Sequence, residues 1–317
     1  MTTTTTGSTP EAASTVPSTA PTTTDAATTT DATASAPTSG SGPVEAPATT
    51  RPPAASWPRT TFRHTLHAEW TKLRTLRSTV YSLVAVVLVG AGVAAVFAFA
   101  SAREYQQAPE FRAAFDPTAV SLNSVVIAQL VVGTLGALAV TSEYATGMVR
   151  TSLTVLPHRI RLLAAKSIVI AAVVLVVGVV AGFAAFFSGQ YVLGAQDVPR
   201  DTLGDPGTLR AVVGVGLYLA AVALLGVALG VLYRSTAAAV ATLVSATLLI
   251  PVVANLLPAS WSEVLVKYWP TTAGTQITTV RYDPAVALAP WDGFALLCAT
   301  LLVVHAVAVA TFRLRDA

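Results

Sequence analysis

Hydrophobic and polar positions fall in blocks along this chain. Six almost uninterrupted apolar runs lie near residues 79–101, 122–141, 162–187, 210–233, 236–257 and 291–312, with the charged residues gathered between them. About 20 apolar residues in a helix cover a hydrocarbon core of roughly 30 Å, so each run is long enough to cross a membrane. The pattern predicts an all-α polytopic membrane protein with six transmembrane helices. Only Arg234 and Ser235 separate the fourth and fifth runs. That leaves either a tight helical hairpin or one long buried helix, and a combined span of residues 210–257 favours two crossings.

The flanking segments carry their own patterns. At 100° per residue, Phe62, Leu66, Trp70, Leu73 and Leu76 share one arc of a helix over residues 60–78, beside a basic stripe of Arg63, His67 and Arg74. A basic amphipathic helix with Trp on its apolar face, placed just before a hydrophobic run, suits the membrane interface and lipid contact. Glu69 projects within the apolar arc. It is either an ordinary i,i+3 partner of Lys72 or a buried contact for an Arg elsewhere. Residues 1–58 are rich in Thr, Ala, Pro and Ser, with 18 Thr among the first 50. Such a stretch buries too little apolar surface to offset its ordering entropy and is expected to be a disordered tail; residues 59–317 form the membrane domain. Residues 258–290 contain Trp261, Tyr268 and Trp269 and are broken by Pro270. They predict one or two short helices dipping into the membrane from outside, or an interfacial loop. Pro251 is expected to disturb the span before them.

Charge then fixes an expected orientation. With both termini inside, 13 of the 19 Lys and Arg residues lie on the inner side and 6 outside, as the positive-inside rule asks. Composition agrees with a membrane body: 53% hydrophobic, 11% charged, and a mean hydropathy of +0.64, against about 25% charged in soluble domains. One cysteine, Cys298, excludes an intrachain disulfide framework. No lysine follows a glycine, so the phosphate-binding Gly-x-x-x-x-Gly-Lys loop is missing. His-Glu-x-x-His and Gly-x-Ser-x-Gly are missing too. No catalytic residue, metal site, bound cofactor or nucleic-acid partner is expected. The spans lack convincing intramembrane acids for an ion-coupled relay. They do carry Gly178-x-x-x-Gly182, Gly226-x-x-x-Gly230, and Gly133 with Gly136, spacings that permit close helix packing. Asn123, Gln129 and Thr134 in the second span, and Thr242, Ser245 and Asn255 in the fifth, are candidates for lining a pathway.

The most patterned polar segment is residues 142–166. Glu143 and Tyr144 close one apolar run, Gly147 and Pro157 bracket a short amphipathic piece, and Arg159, Arg161 and Lys166 open the next run. Met148, Leu153, Leu156 and Ile160 offer an apolar docking face, with Arg150 among its charges. Lys166, at the membrane margin, can snorkel toward water.

These residues resemble a known family. The chain is similar to the permease subunits of type-2 ABC exporters, in the compact six-span form common in actinobacteria. Three stretches carry the likeness: the entry helix around Glu69, Trp70, Lys72, Arg74 and Arg77; the loop from Glu143 through Lys166; and Leu257-Pro258 with Tyr268 through Gly274. The resemblance implies that the loop holds a coupling helix seated on a separate ABC ATPase subunit, which binds the ATP and Mg. It further implies a second permease subunit, the bacterial cell membrane, and export. A non-transporting anchor or assembly protein of a cell-envelope complex is the alternative from the residues alone.

Overall fold

The computed structural model describes residues 61–113, 115–146 and 159–314. The Thr-rich segment lies outside them, as do Gly147, Met148, Arg150, Leu153, Leu156 and Pro157. Every regular element among the described residues is helical. In chain order these are α1 (Phe62–Thr75), α2 (Arg77–Gln107), α3 (Pro117–Leu122), α4 (Val125–Ala145), α5 (Arg159–Ala195) and α6 (Thr208–Tyr233). There follow α7 (Thr236–Val244), a π-helical turn (Ser245–Leu249), α8 (Ile250–Ala254), α9 (Ala259–Tyr268), α10 (Pro270–Thr275) and α11 (Pro290–Leu314). Six helical stretches are long and apolar enough to cross a membrane. The chain is a polytopic all-α membrane protein.

Two crossings exceed what hydropathy predicts. α2 has 31 residues and α5 has 37, about 46 and 56 Å at 1.5 Å per residue. Their excess projects from the end opposite α1. There Ala98, Ala102, Phe115, Leu193 and Val198 form a second apolar cluster, with the Tyr105 and Phe115 rings 4.9 Å apart. The apolar runs stop earlier because the extra turns are two-sided: Ala102 and Leu193 are buried in this cluster, while Arg103, Glu104, Gln106, Gln107 and Tyr191 are exposed. α3, capped by the Asp116 carboxylate accepting from the Ala119 amide at 3.0 Å, also starts the second crossing before the run does.

α6 is the axis of the bundle, buried along most of its length and packed against α4, α5 and α11. Glycine sets how close those helices come. A Cβ on Gly136 would overlap the Ala223 carbonyl, and one on Gly226 would overlap the Gly133 carbonyl. On the other side of α6, a Cβ on Gly182 would strike the Val212 carbonyl and one on Gly178 would strike Gly216. The small-residue pairs seen in the sequence are thus the α4–α6 and α5–α6 contacts. α6 ends where Arg234 takes a left-handed φ of 52° and its amide donates to the Gly230 carbonyl at 3.0 Å. α7 starts two residues on, so the fourth and fifth runs form a hairpin.

Pro251 disturbs the fifth crossing through the π turn. The Ile250 amide bonds the Ser245 carbonyl, five residues back. In that register the Ala246 carbonyl would be served by residue 251, a proline without an N–H. The segment after the crossing fills the gap: Trp269 Nε1 donates to the Ala246 oxygen at 2.6 Å and Thr271 Oγ1 at 2.9 Å. This latch folds α10 back into the body, where Thr271, Ala273, Gly274 and Ile277 are buried. α9 instead presents an open apolar face, with Trp261 73% exposed and Val264 and Tyr268 beside it. After the fifth crossing the chain therefore turns back and packs against the bundle.

The entry helix differs from its expected form. It stops at Thr75, Leu76 is extended, and Arg77 is the first residue of α2 rather than part of the entry helix. Its apolar arc is divided: Phe62, Trp70 and Leu76 are exposed, Leu66 is half-buried and Leu73 packs against the core, while Thr65 and Glu69 are buried. Thr65, Glu69 and Lys72 recur at helical spacing and turn toward α5. Phe62, Trp70 and Leu76 are left on the outer side.

Because backbone carbonyls rather than flexible side chains meet these glycines, added bulk cannot be absorbed. Gly226→Val is expected to cost at least about 1–3 kcal/mol, read as a lower thermal unfolding midpoint of the detergent-solubilised chain. Gly92→Ala, where a Cβ meets nothing within 4 Å, should leave the midpoint unchanged.

Candidate functional site

Three helices converge beside the charged connection, and each brings ionisable side chains. α1 supplies Glu69 and Lys72, the last turn of α4 supplies Glu143, and the second turn of α5 supplies Lys166. Glu69 is 3% exposed and Lys166 6%. The Lys72 ammonium lies 2.8 Å from Glu69 Oε1 and 3.1 Å from Glu143 Oε1. The Lys166 ammonium lies 2.8 Å from Glu69 Oε2 and 2.8 Å from Glu143 Oε1. The four groups close into a ring in which each cation touches both anions. Two negative and two positive charges cancel, which is the condition for holding them away from water.

Titration follows from the ring. Burial pushes the Glu69 carboxyl up, but the charges and hydrogen bonds of Lys166 and Lys72 outweigh it and hold the group below its ordinary 4.5. Burial likewise pulls Lys72 down, and Glu69 with Glu143 more than reverses this, raising it above its ordinary 10.5.

Two expectations are corrected here. Glu69 does pair with Lys72, but its buried partner from elsewhere is Lys166 and not an arginine. Lys166 does not snorkel to water; with two carboxylates within 2.8 Å, pairing inward replaces the hydration that snorkelling would have kept. Around the ring, the Arg234 guanidinium sits 5.2 Å from the Tyr144 ring centre, and Thr236 Oγ1 donates to Thr141 Oγ1 at 2.8 Å. The end of α4 is thereby tied to the α6–α7 turn as well. Arg161 is exposed. Of Arg159 only the helical backbone is described.

The six polar residues expected to line a pathway are not gathered in one place. Gln129 is buried and accepts from the Tyr218 hydroxyl at 2.5 Å, which locks α4 to α6. Asn123 and Asn255 are exposed, the latter donating to the Pro251 carbonyl at 2.8 Å. Thr242 and Ser245 are half-buried along α7 and the π turn. Thr134 lines an open groove between α2 and α4. Sequence reading missed the ring as a unit and the Ala246 latch. Their signals were equal numbers of acids and lysines at apolar margins, and a proline five residues beyond a carbonyl.

Residues 65–250 match the family described as ABC-2 family transporter protein. The chain belongs to that family. It is therefore a permease component of an ABC transporter, a transmembrane part with an ABC ATPase as the implied kind of partner. The match covers α1, the ring, the connection and the first five crossings up to the start of α8. No curated protein sequence matches this permease.

Removing one member of the ring strands the others. Lys166→Met is expected to destabilise the permease by about 3–5 kcal/mol, whereas Glu69→Leu combined with Lys166→Met should recover most of that loss; thermal unfolding in detergent compares them. The pH dependence has a defined sign. The stability that Glu69 contributes is present above 4.5 and is lost as pH falls through its lowered folded value. That of Lys72 is present below 10.5 and is lost as pH rises through its raised one. A midpoint that is flat from about pH 6 to 9 and falls below 4.5 is expected, with a shallower acid-side fall in Glu69→Gln.

Proposed function

We propose that this permease is the membrane subunit of an ATP-driven exporter, and that the connection between α4 and α5 transmits work from a separate ATPase subunit. The observation that carries this reading is the ion-pair ring. Glu143 lies two residues before α4 ends, and Lys166 lies seven residues after α5 begins. Both ends of the connection are bound to each other and to α1. A push on the connection therefore displaces α1, α4 and α5 together instead of bending one helix end.

In this reading ATP and Mg are held by the partner, and two permease subunits, identical or related, face one another. The α1 end faces the cytoplasm of a cell whose plasma membrane the chain spans six times. Support for that orientation comes from the 13 basic residues assigned to this side, against 6 on the other. Export follows from the likeness to type-2 exporters. Gly147, Met148, Arg150, Leu153, Leu156 and Pro157 would form the piece that the ATPase touches, flanked by Tyr144, Arg159 and Arg161.

Purification through a C-terminal tag in mild detergent is the test. An ATP-hydrolysing subunit should accompany the native chain and be lost when residues 147–158 are replaced by a Gly/Ser linker, with insertion unchanged. Arg150→Glu should leave insertion intact and reduce substrate-stimulated hydrolysis. Retention of the ATPase by the linker variant would overturn the assignment of the connection.

A further inference from the structure

A groove of about 610 Å³ opens where the end of α1 meets the start of α2 and the facing side of α4. Leu130, Val131, Leu135 and Leu138 supply apolar wall. Five hydroxyls line it as well: Ser78, Thr79 and Ser82 from α2, Thr134 and Ser142 from α4. Among the described residues none of these five side chains has a hydrogen-bond partner. Serine and threonine inside a helix can bond the carbonyl one turn back, an option open to Ser82, Thr134 and Ser142 but not to Ser78 and Thr79, which stand in the first turn of α2. Nearby Thr71, Thr75 and Thr146 do so, at 2.8, 2.9 and 3.0 Å. The groove hydroxyls keep their donors for something else.

Charge narrows what that is. Among the described residues no ionisable side chain lines the groove. A smaller recess of about 270 Å³ shares Leu73, Leu76, Ala139 and Ser142 with it and reaches the ion-pair ring. The ring's own charges cancel, so it offers no net charge to a ligand. The volume is within the range of small-molecule sites.

We propose that this groove binds an uncharged amphiphile, with an apolar body against the leucines and several hydrogen-bonding oxygens along the edge that faces the five hydroxyls. As a transport substrate this ligand rests on the permease reading above; binding itself does not require coupling and is measured apart from it. Ser142 precedes Glu143, so a ligand in the groove lies against the turn of α4 that carries the ring. The site and the transmission element share a wall.

Photolabelling of the full chain in lipid nanodiscs tests this with three diazirine-bearing alkyl probes of one chain length: a glucoside, a phosphate and a trimethylammonium. The glucoside should label residues 78–82 and 130–142 most strongly, and unlabelled alkyl glucoside should compete. Ser82→Phe, which fills the groove, should lower that labelling at least about 10-fold, and Ser82→Ala with Thr134→Val on the order of 3- to 10-fold. Tyr191→Ala, on the exposed far part of α5, should not change it. Should Ser82→Phe fail to insert, the milder pair and the competition decide. Equal labelling by all three probes would mean a plain lipid-facing wall, and strongest labelling by the phosphate would mean an anionic headgroup site. Ser82→Cys in a Cys298→Ala background that cross-links two chains would mean that a second copy fills the groove. Each of these outcomes overturns the proposal. Failure of any ATPase to accompany the native chain, with glucoside labelling intact, would instead overturn the coupling reading and leave the site.

Discussion

A charge taken out of water is tolerated only against an opposite charge, and near the α1 end of this permease that constraint positions three helices at once. Glu69 and Lys166 are almost fully buried, so neither can be satisfied by solvent. The distances at which they meet Lys72 and Glu143, all between 2.8 and 3.1 Å, leave little freedom for α1 to slide along α5 or for α4 to withdraw. The entry helix is not an amphipathic helix that merely floats at an interface. It is held by its one acid and by Leu73, which packs against the core, while Phe62, Trp70 and Leu76 stay exposed.

Elsewhere the bundle is held by close approach. The glycines of α4 and α5 let backbone meet backbone against α6, where van der Waals contact does the work that water exclusion does in a soluble core. At the opposite end the constraint changes again. A proline in the fifth crossing takes away one amide, and the carbonyl it leaves behind is claimed by Trp269 and Thr271. The segment after the fifth crossing is placed by that missing proton as much as by its own aromatic residues.

These constraints divide the molecule usefully. The ring binds the two ends of the α4–α5 connection to α1, so motion imposed there is shared by three helices. The hydroxyl-lined groove shares residues with the recess that reaches the ring. A ligand in the groove and a partner on the connection would therefore act on the same turn of α4, which is the physical requirement for one to sense the other.

Much of the architecture was written in the sequence. Hydrophobic run length determined six crossings, because hydrocarbon thickness and helical rise leave little alternative, and Arg234-Ser235 was too short for anything but a hairpin once two crossings were needed. Gly226 and Gly133 announced close packing, though not with which helix. The rest lay in tertiary structure. Whether Lys166 points to water or inward depends on whether two carboxylates from other helices stand within reach, and nothing local records that. Thr134 and Gln129 looked alike as polar residues in one span; one faces an open groove and the other is spent on Tyr218. Periodicity and hydropathy are properties of single segments and were decided by the chain alone. Partnership between buried polar groups is a property of how segments meet, and only the fold decided it.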